Sequence, residues 1–374
     1  MAAVARRIAT AMSAPPLTQK LVRHIRAQGP MTVAAYMAMA LHDPDFGYYM
    51  RGNPLGARGD FVTAPEISQI FGELIGLWCT DLWQRMGAPN RVVLAELGPG
   101  RGTLMADFLR AASRVPGFRE ALRLYLVEAS PPLWELQQQA LSEIDPAWTS
   151  RFDDVPDGPL LLVANEFLDA LPIRQLVRAR SHWAERMVAA DASGRLAFAD
   201  SPESPALSLL VPPDRRDAAP GAVAEICPAA ATLAAALAER LTHHPGAALF
   251  IDYGYVDCPP GDTLTAISAH RGADVLGDPG AADLSAHVDF AAFATAAREA
   301  GAVVYGPVTQ RDFLLALGAE ARLAALLRQA DPNQRRTLKS GLRRLIDPQE
   351  MGTLFKVLAV TSPGLPAPAG FGGE

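Results

Sequence analysis

Cysteine is nearly absent from this chain of 374 residues: Cys79, Cys227 and Cys258 share no C-x-x-C spacing. Neither a disulfide framework nor a zinc site is supported, and a reducing compartment fits. No stretch reaches the roughly 18 unbroken apolar residues that a membrane span requires, so membrane insertion is not expected. A large excess of charge of one sign is also lacking. A net charge of −6, with 20% charged and 49% apolar residues, is ordinary for a soluble globular protein. It argues against general nucleic-acid binding and leaves room for a cationic substrate. The first 42 residues hold no acid but carry Arg6, Arg7, Lys20, Arg23 and Arg26. A weak targeting presequence shares that composition, yet a tail followed by one basic helix is the simpler reading. Internal repeats are lacking, and the length suits an α/β core with insertions as well as two or three domains.

What is present is a strand, a glycine turn and a helix start at residues 91–104, RVVLAELGPGRGTL. Val92, Val93, Leu94, Ala95 and Leu97 form a short apolar run with β-branched members, the pattern of a strand covered on both faces, so a parallel α/β sheet is expected. Gly98, Gly100 and Gly102 alternate, which lets backbone pass close to a ligand where a Cβ would collide. Thr103 then opens a helix that turns Leu104, Phe108 and Leu109 inward. One strand-helix-strand unit later, RLYLVE ends a second buried strand in Glu128, placed to accept hydrogen bonds from ribose hydroxyls. The spacing suits a nicotinamide dinucleotide or S-adenosylmethionine. Three features favour the second: the G-x-G-x-G pattern departs from the dinucleotide fingerprint, Glu96 sits just before the glycines, and no extended phosphate cradle is offered. The candidate cofactor residues are Glu96, Gly98, Gly100, Gly102, Thr103 and Glu128, with Asp60 and Thr63 from the preceding loop.

Ahead of this core, Leu17, Leu21, Val22 and Ile25 recur at helical spacing up to Gly29 and Pro30, and Thr32 can cap a second helix. Tyr48, Tyr49 and the glycine-rich residues 56–63 are expected to form a lid over the cofactor, the alternative being a rigid turn packed on the N-terminal helices. Thr63 is the candidate cap of one long helix through Pro65, Glu66, Ile70, Phe71, Trp78 and Leu82. Beyond Glu128, GPLLLVA at 158–164 makes another buried strand. Asn165, Glu166 and Asp169 follow at its carboxyl end, where ligands of open α/β sheets lie. A hairpin signal at 191–194 marks inserted antiparallel strands. The core resumes with AALFIDY at 247–253 and ends with strands at 303–305 and 354–360, with helices around 290–300 and 313–329. The expected division is a helical extension and lid at 1–90, the two parts of the core at 91–173 and 246–362, an inserted β/α subdomain at 174–245 and a disordered Pro/Gly-rich tail at 363–374.

Residues 59–73 (GDFVTAPEISQIFGE), 96–104 (ELGPGRGTL) and 165–172 (NEFLDALP) closely resemble the motifs of the MidA-like family. That family comprises mitochondrial complex I assembly-factor methyltransferases and their bacterial relatives. AADLSAHVDF at 281–290 and GPVTQ at 306–310 look like its later motifs, so the likeness runs from about Leu17 to Val360. The resemblance implies the Rossmann-like class I methyltransferase fold, a seven-stranded sheet with one antiparallel strand. It implies S-adenosylmethionine as cofactor, with Gly98, Gly100 and Gly102 facing its methionine part and Glu128 its ribose. Animal members are implied to dimethylate symmetrically an arginine of the large quinone-site subunit of respiratory complex I. A protein substrate is therefore expected here, in the cytoplasm of a bacterium or the mitochondrial matrix of a eukaryote, with a homodimer as a further expectation.

An arginine guanidinium has a pKa above 12, so at neutral pH fewer than about one in 10⁵ is deprotonated and nucleophilic. An enzyme must orient it and accept a proton as nitrogen attacks the methyl. Carboxylates suit both tasks, forming two-point bonds with the guanidinium fork and acting as base. Glu166 and Asp169, with Asn165 beside them, are the expected catalytic set, and Glu66 and Asp60 are candidates on the second side. No metal is needed, since a sulfonium is already a good leaving group. The other readings are an assembly chaperone that binds S-adenosylmethionine without turnover and a small-molecule methyltransferase. Methyl transfer to a purified subunit separates the first of these from an arginine methyltransferase, and the openness of the pocket separates the second.

Overall fold

A computed structural model describes residues 14–51, 62–257 and 261–372, and contacts divide the chain into two compact units. The larger comprises Gly52–Leu171, Cys227–Thr263 and Ser285–Glu374. It opens with a short helix, α1 (Ala64–Ile67), and a long one, α2 (Gln69–Arg85). The single helix expected here is broken at Ser68, whose extended backbone (φ −157°, ψ 129°) lets its hydroxyl accept from the Ile70 N–H and cap α2. Thr63 makes no side-chain cap.

Seven strands form the continuous path of the main sheet: β1 (Val92–Leu97), β2 (Leu122–Val127), β3 (Ala147–Thr149), β4 (Leu160–Asn165), β5 (Gly246–Tyr255), β6 (Val303–Thr309) and β7 (Phe355–Thr361), in the spatial order β3-β2-β1-β4-β5-β7-β6, and a short eighth, Val288–Asp289, pairs in parallel with the end of β5. The pairings from β3 to β5 are parallel, and β7 runs antiparallel to both its neighbours. Strand order reverses between β1 and β4, so a crevice at their carboxyl ends is the natural ligand site.

Helices α3 (Thr103–Ala112), α4 (Pro131–Ala140), α5 (Pro228–His243), α6 (Phe290–Glu299) and α7 (Pro332–Ile346) complete the elements used below. Side chains alternate between two cores, as strand geometry requires. Leu94, Leu124 and Val357 face Phe71, Trp78 and Phe108. Ala95, Leu162, Phe250 and Leu358 face Leu237, Phe290 and Phe293. Because both faces are covered, β1 and β4 are buried at every position, which is why they read as unbroken apolar runs. Gly72 and Gly76 bring α2 against α3, where an added Cβ would stand 2.8 Å from the Leu104 carbonyl and 2.7 Å from that of Phe108.

Contacts redraw several expected boundaries. Helix α2 belongs with the sheet, packing on α3, and so does α5, whose Ala234, Leu237 and Leu241 are buried in the second core. The helix expected at 313–329 is two, Gln310–Ala316 and Ala319–Leu327, parted at Gly318 with φ +87°. Residues 363–372 are tied down rather than disordered. The Trp78 indole donates to the Ala369 carbonyl (3.0 Å), Arg85 donates to that of Ala367 (3.1 Å), and Phe371 is buried beside Phe313.

The smaller unit comprises Met1–Arg51, Pro172–Ile226 and Leu264–Leu284. Its helices Pro16–Gln28 and Val33–His42 match expectation, and the Thr32 hydroxyl accepts from the Ala35 N–H. Its antiparallel sheet runs Met31–Thr32, Trp183–Ala190, Arg174–Arg178, Val223–Ile226, with Leu196–Asp200 joined to the second strand by the expected hairpin. One strand thus comes from outside the inserted segment. Tyr48 is buried, and Tyr49 stacks on His42 and donates to Asp283 at 2.9 Å. Residues 52–61, and with them Asp60 and most of the expected lid, lie outside the described residues.

Candidate active site

The turn after β1 holds Gly98, Gly100 and Gly102 at φ +62°, +54° and +81°, left-handed conformations that side chains resist. A Cβ on Gly98 would stand 3.0 Å from the Phe167 ring. The acids expected to flank this turn are both buried. Glu96 Oε2 has no hydrogen-bond partner, and burial, with the charge of Glu128 adding, pushes Glu96 up to about 8. Glu128 accepts from the Ser130 N–H (2.8 Å) and the Gln137 amide (3.3 Å), yet burial still lifts it to about 7. The Gln137 amide also donates to the Gly100 carbonyl (2.8 Å), and its oxygen accepts from the Trp148 indole (2.8 Å). Gln137 therefore ties the glycine turn to Glu128. Gln137 is the first of three consecutive glutamines in α4, and nothing in the sequence singled it out for that role.

An orphaned buried carboxylate oxygen and a turn with three glycines in left-handed conformations suit a ligand that brings its own hydrogen-bond donors. The amine and ribose hydroxyls of S-adenosylmethionine are such donors. Thr103 is held differently, since its hydroxyl donates to Glu66, which also lies 3.9 Å from Arg101. Glu66 thus anchors α1 to the start of α3.

The second cluster lies at the ends of β4 and β5. Glu166 sits at φ +50°, an uncommon conformation for a residue with a side chain. Its N–H is held by the Ile251 carbonyl (2.8 Å). Its Oε1 accepts from the Ala64 N–H (3.0 Å) and the Asn165 amide (3.1 Å), so Glu166 is the cap of α1 that Thr63 was expected to be. Asn165 Oδ1 is buried without a partner.

Asp252, 1% exposed, accepts on Oδ2 from the N–H groups of Phe167, Leu168 and Asp169 at 3.1, 2.9 and 3.2 Å. Its Oδ1 takes the Tyr253 N–H at 2.9 Å. One carboxylate thereby fixes the turn that carries Glu166 and Asp169. The Asp169 side chain bonds to that of Tyr253, which also bonds to Ser285 and packs edge-on to His287. Burial lifts Asp169 to about 6 and Glu166 to about 7, the latter despite the Ala64 bond. Asp252 is raised well above the usual carboxylate range by burial and then by its two neighbours. Like charges this close share protons as a group. The carboxyl-end rule that singled out Glu166 and Asp169 applies equally to Asp252 and Tyr253, though no role was expected of either.

The two clusters meet where Phe167 covers Gly98. A glycine turn after one strand, a buried acid at the end of the next and a cluster of carboxylates at the neighbouring strand ends suit a methyltransferase. Residues 74–308 match the family model for S-adenosyl-L-methionine-dependent methyltransferases. The chain is 38% identical to the mitochondrial protein arginine methyltransferase NDUFAF7 of Xenopus laevis, over 93% of this chain and 85% of that one. Identity to the human protein of that name is 35%, over 92% and 83%. A Burkholderia thailandensis protein crystallised with S-adenosyl-homocysteine superposes with a TM-score of 0.83 at 30% identity, over 95% of this chain and 93% of that one. The chain belongs to the MidA-like family of S-adenosylmethionine-dependent methyltransferases.

Proposed function

We propose that the protein methylates the guanidinium of an arginine in a protein, the large quinone-site subunit of respiratory complex I, yielding symmetric dimethylarginine during assembly. The observation that carries this reading is the cluster of Glu166, Asp169 and Asp252 at the ends of β4 and β5, with Asp252 bonded to the turn that carries the other two and Phe167 joining that turn to Gly98. The names of the relatives support it, as does the strand order with β7 reversed, which suits a class I methyltransferase. Gly98, Gly100 and Gly102 would cradle the methionine part of the cofactor, Glu128 would take the ribose, and Glu96, Thr103 and Thr63 would complete its surroundings.

S-adenosylmethionine supplies an electrophilic methyl on a good leaving group. Glu166 spends Oε1 on α1 and Asn165, so Oε2 is the oxygen that orients the guanidinium. Asp169, bonded to Tyr253, accepts the proton given up as the N–C bond forms, and Asp252 holds both at their stations. No helix among the described residues is long and apolar enough to cross a membrane. We place the enzyme in the bacterial cytoplasm, or in the matrix of a mitochondrion, as a homodimer.

Mass spectrometry of the quinone-site subunit from a deletion strain tests the reading. Loss of dimethylarginine there, restored by wild type and not by Glu166→Gln, is the expected result. An unchanged methylation pattern would overturn it.

A further inference from the structure

The segment AADLSAHVDF at 281–290 stands out in the sequence and has no part in the chemistry described so far. Its second half wraps the carboxyl end of β5. Val288–Asp289 pairs in parallel with Gly254 and Tyr255, and the two backbones lie so close that a Cβ on Gly254 would overlap the Val288 carbonyl. The His287 N–H donates to the Thr263 hydroxyl at 2.9 Å, and the Ala286 N–H donates to the Asp169 carbonyl at 3.0 Å. Ser285 is thereby set against Tyr253, whose ring packs edge-on to His287 and Phe355 with centroids 5.3 and 5.6 Å away.

The Tyr253 hydroxyl bonds both to Asp169 and to Ser285. A phenol has one proton, and an ionised carboxylate can only accept. Tyr253 therefore donates to Asp169, and Ser285 donates to the phenol oxygen. Asp252 is sealed at 1% exposure, whereas Glu166, Asp169 and Tyr253 are each half-buried. The chain from Ser285 through Tyr253 thus ends on a carboxylate that a substrate can reach.

As the N–C bond forms and the S–C bond breaks, the guanidinium proton passes to Asp169, which must begin the step without one. Its surroundings oppose that. Burial favours the neutral acid, and Glu166 and Asp252 beside it are themselves acids. His287 brings no positive charge at neutral pH, since burial and then Lys356 hold it below its ordinary range. Lys356 donates to the Thr353 and Leu354 carbonyls, and the charge of Arg344 is felt at Glu166. The Tyr253 hydroxyl is the side chain that works against burial at Asp169, through a charge-assisted bond of the strong kind.

We propose that Tyr253, anchored by Ser285, is a positioning residue for methyl transfer, its hydroxyl holding Asp169 in the ionised, proton-accepting form. The inference rests on the reading in which Asp169 takes the acceptor's proton, and it adds the two residues that ready Asp169 for the step.

The test compares full-length wild type with Tyr253→Phe, Ser285→Ala and a form carrying 3-fluorotyrosine in place of Tyr253. One readout is kcat against pH with the purified large quinone-site subunit as acceptor. The other is the titration of the Asp169 carboxyl by carbon-13 NMR with S-adenosylhomocysteine bound, the signal being assigned by its loss in Asp169→Asn. Loss of one charge-assisted bond in Tyr253→Phe should move both the acid limb of kcat and the Asp169 titration up by about one pH unit. Turnover should fall roughly tenfold on the acid side and return to within about threefold of wild type near pH 9. Ser285→Ala should move both the same way by less. Fluorotyrosine keeps the shape and is a stronger donor, so it should move both down, a result that does not depend on how well the phenylalanine variant folds. An unmoved titration or an unmoved limb in Tyr253→Phe, an equal loss of turnover at every pH, or an upward move with fluorotyrosine would each overturn the proposal. The two readings fail separately. Transfer to arginine with an unmoved Asp169 titration refutes the role of Tyr253 alone, and a titration that moves as expected in a protein that methylates no arginine refutes the reaction alone.

Discussion

Replacing Glu166 by glutamine separates its structural duty from its chemical one. The carboxylate uses one oxygen for two bonds, to the Ala64 N–H at 3.0 Å and the Asn165 amide at 3.1 Å. Glutamine keeps a carbonyl oxygen in that position, so only the charge assistance is lost. Burial already lifts Glu166 to about 7, so much of that assistance is absent at neutral pH. A stability loss of at most about 1 kcal/mol follows, or roughly 2–4 °C in Tm by thermal unfolding. Glu166→Ala instead orphans the Ala64 N–H and should cost about 1–3 kcal/mol. Turnover should behave differently. Removing an orienting carboxylate should lower kcat by roughly 10²–10⁴ in both variants, while calorimetric S-adenosylhomocysteine affinity stays within a few-fold. A glutamine variant with the wild-type transfer rate would refute the assignment and move the chemistry to Asp169.

Three further outcomes are expected. Gly100→Val, at a left-handed φ of +54°, should abolish cofactor binding, and Glu128→Ala should weaken it at least roughly tenfold through two lost charge-assisted ribose bonds; wild-type affinity by calorimetry in either would remove the cofactor assignment. Asp252→Asn keeps the shape but turns one acceptor into a donor, so at least one of its four backbone N–H partners loses its bond. About 1–3 kcal/mol of stability and roughly 10²-fold in turnover should go together, and urea unfolding unchanged from wild type would refute the positioning role. The pH dependences of rate and stability should oppose one another. Glu96, Glu128, Glu166 and Asp169 titrate near 8, 7, 7 and 6 when folded against about 4 unfolded. The folded chain thus holds extra protons between about pH 4 and 8, a contribution fully present below pH 4 and lost as pH rises through 6–8. The Tm of the cofactor-free protein should fall across that window while turnover rises, and a Tm flat from pH 5 to 8 would contradict the burial of these acids.

Much of the core was legible because strands covered on both faces have little choice of residue: β1, β4 and β5 are apolar through to the acids at their ends. The glycine turn and Glu128 were readable from spacing, since only a close backbone approach requires alternate glycines. What escaped depended on distant partners. Ser68 breaks the helix because its hydroxyl reaches Ile70, a local signal hidden behind the more conspicuous Thr63 and Pro65. Glu166 is a cap for a helix far back in the chain, and Asp252 gains its role from three N–H groups on another strand's exit. Helix α7 buries only Gly341, Leu342 and Leu345, too narrow a stripe to stand out, and the tail is held by Trp78 and Phe313, which its own composition does not reveal.

The central claim, methyl transfer to arginine, is tested most directly with the purified protein, S-adenosylmethionine carrying a labelled methyl group, and the purified large quinone-site subunit of complex I. Hydrolysis of the subunit followed by amino-acid chromatography should place the label in symmetric dimethylarginine, with at least a 100-fold smaller yield from Glu166→Gln. An unlabelled subunit in the presence of protein shown by calorimetry to bind S-adenosylmethionine, or label confined to residues other than arginine, would contradict it.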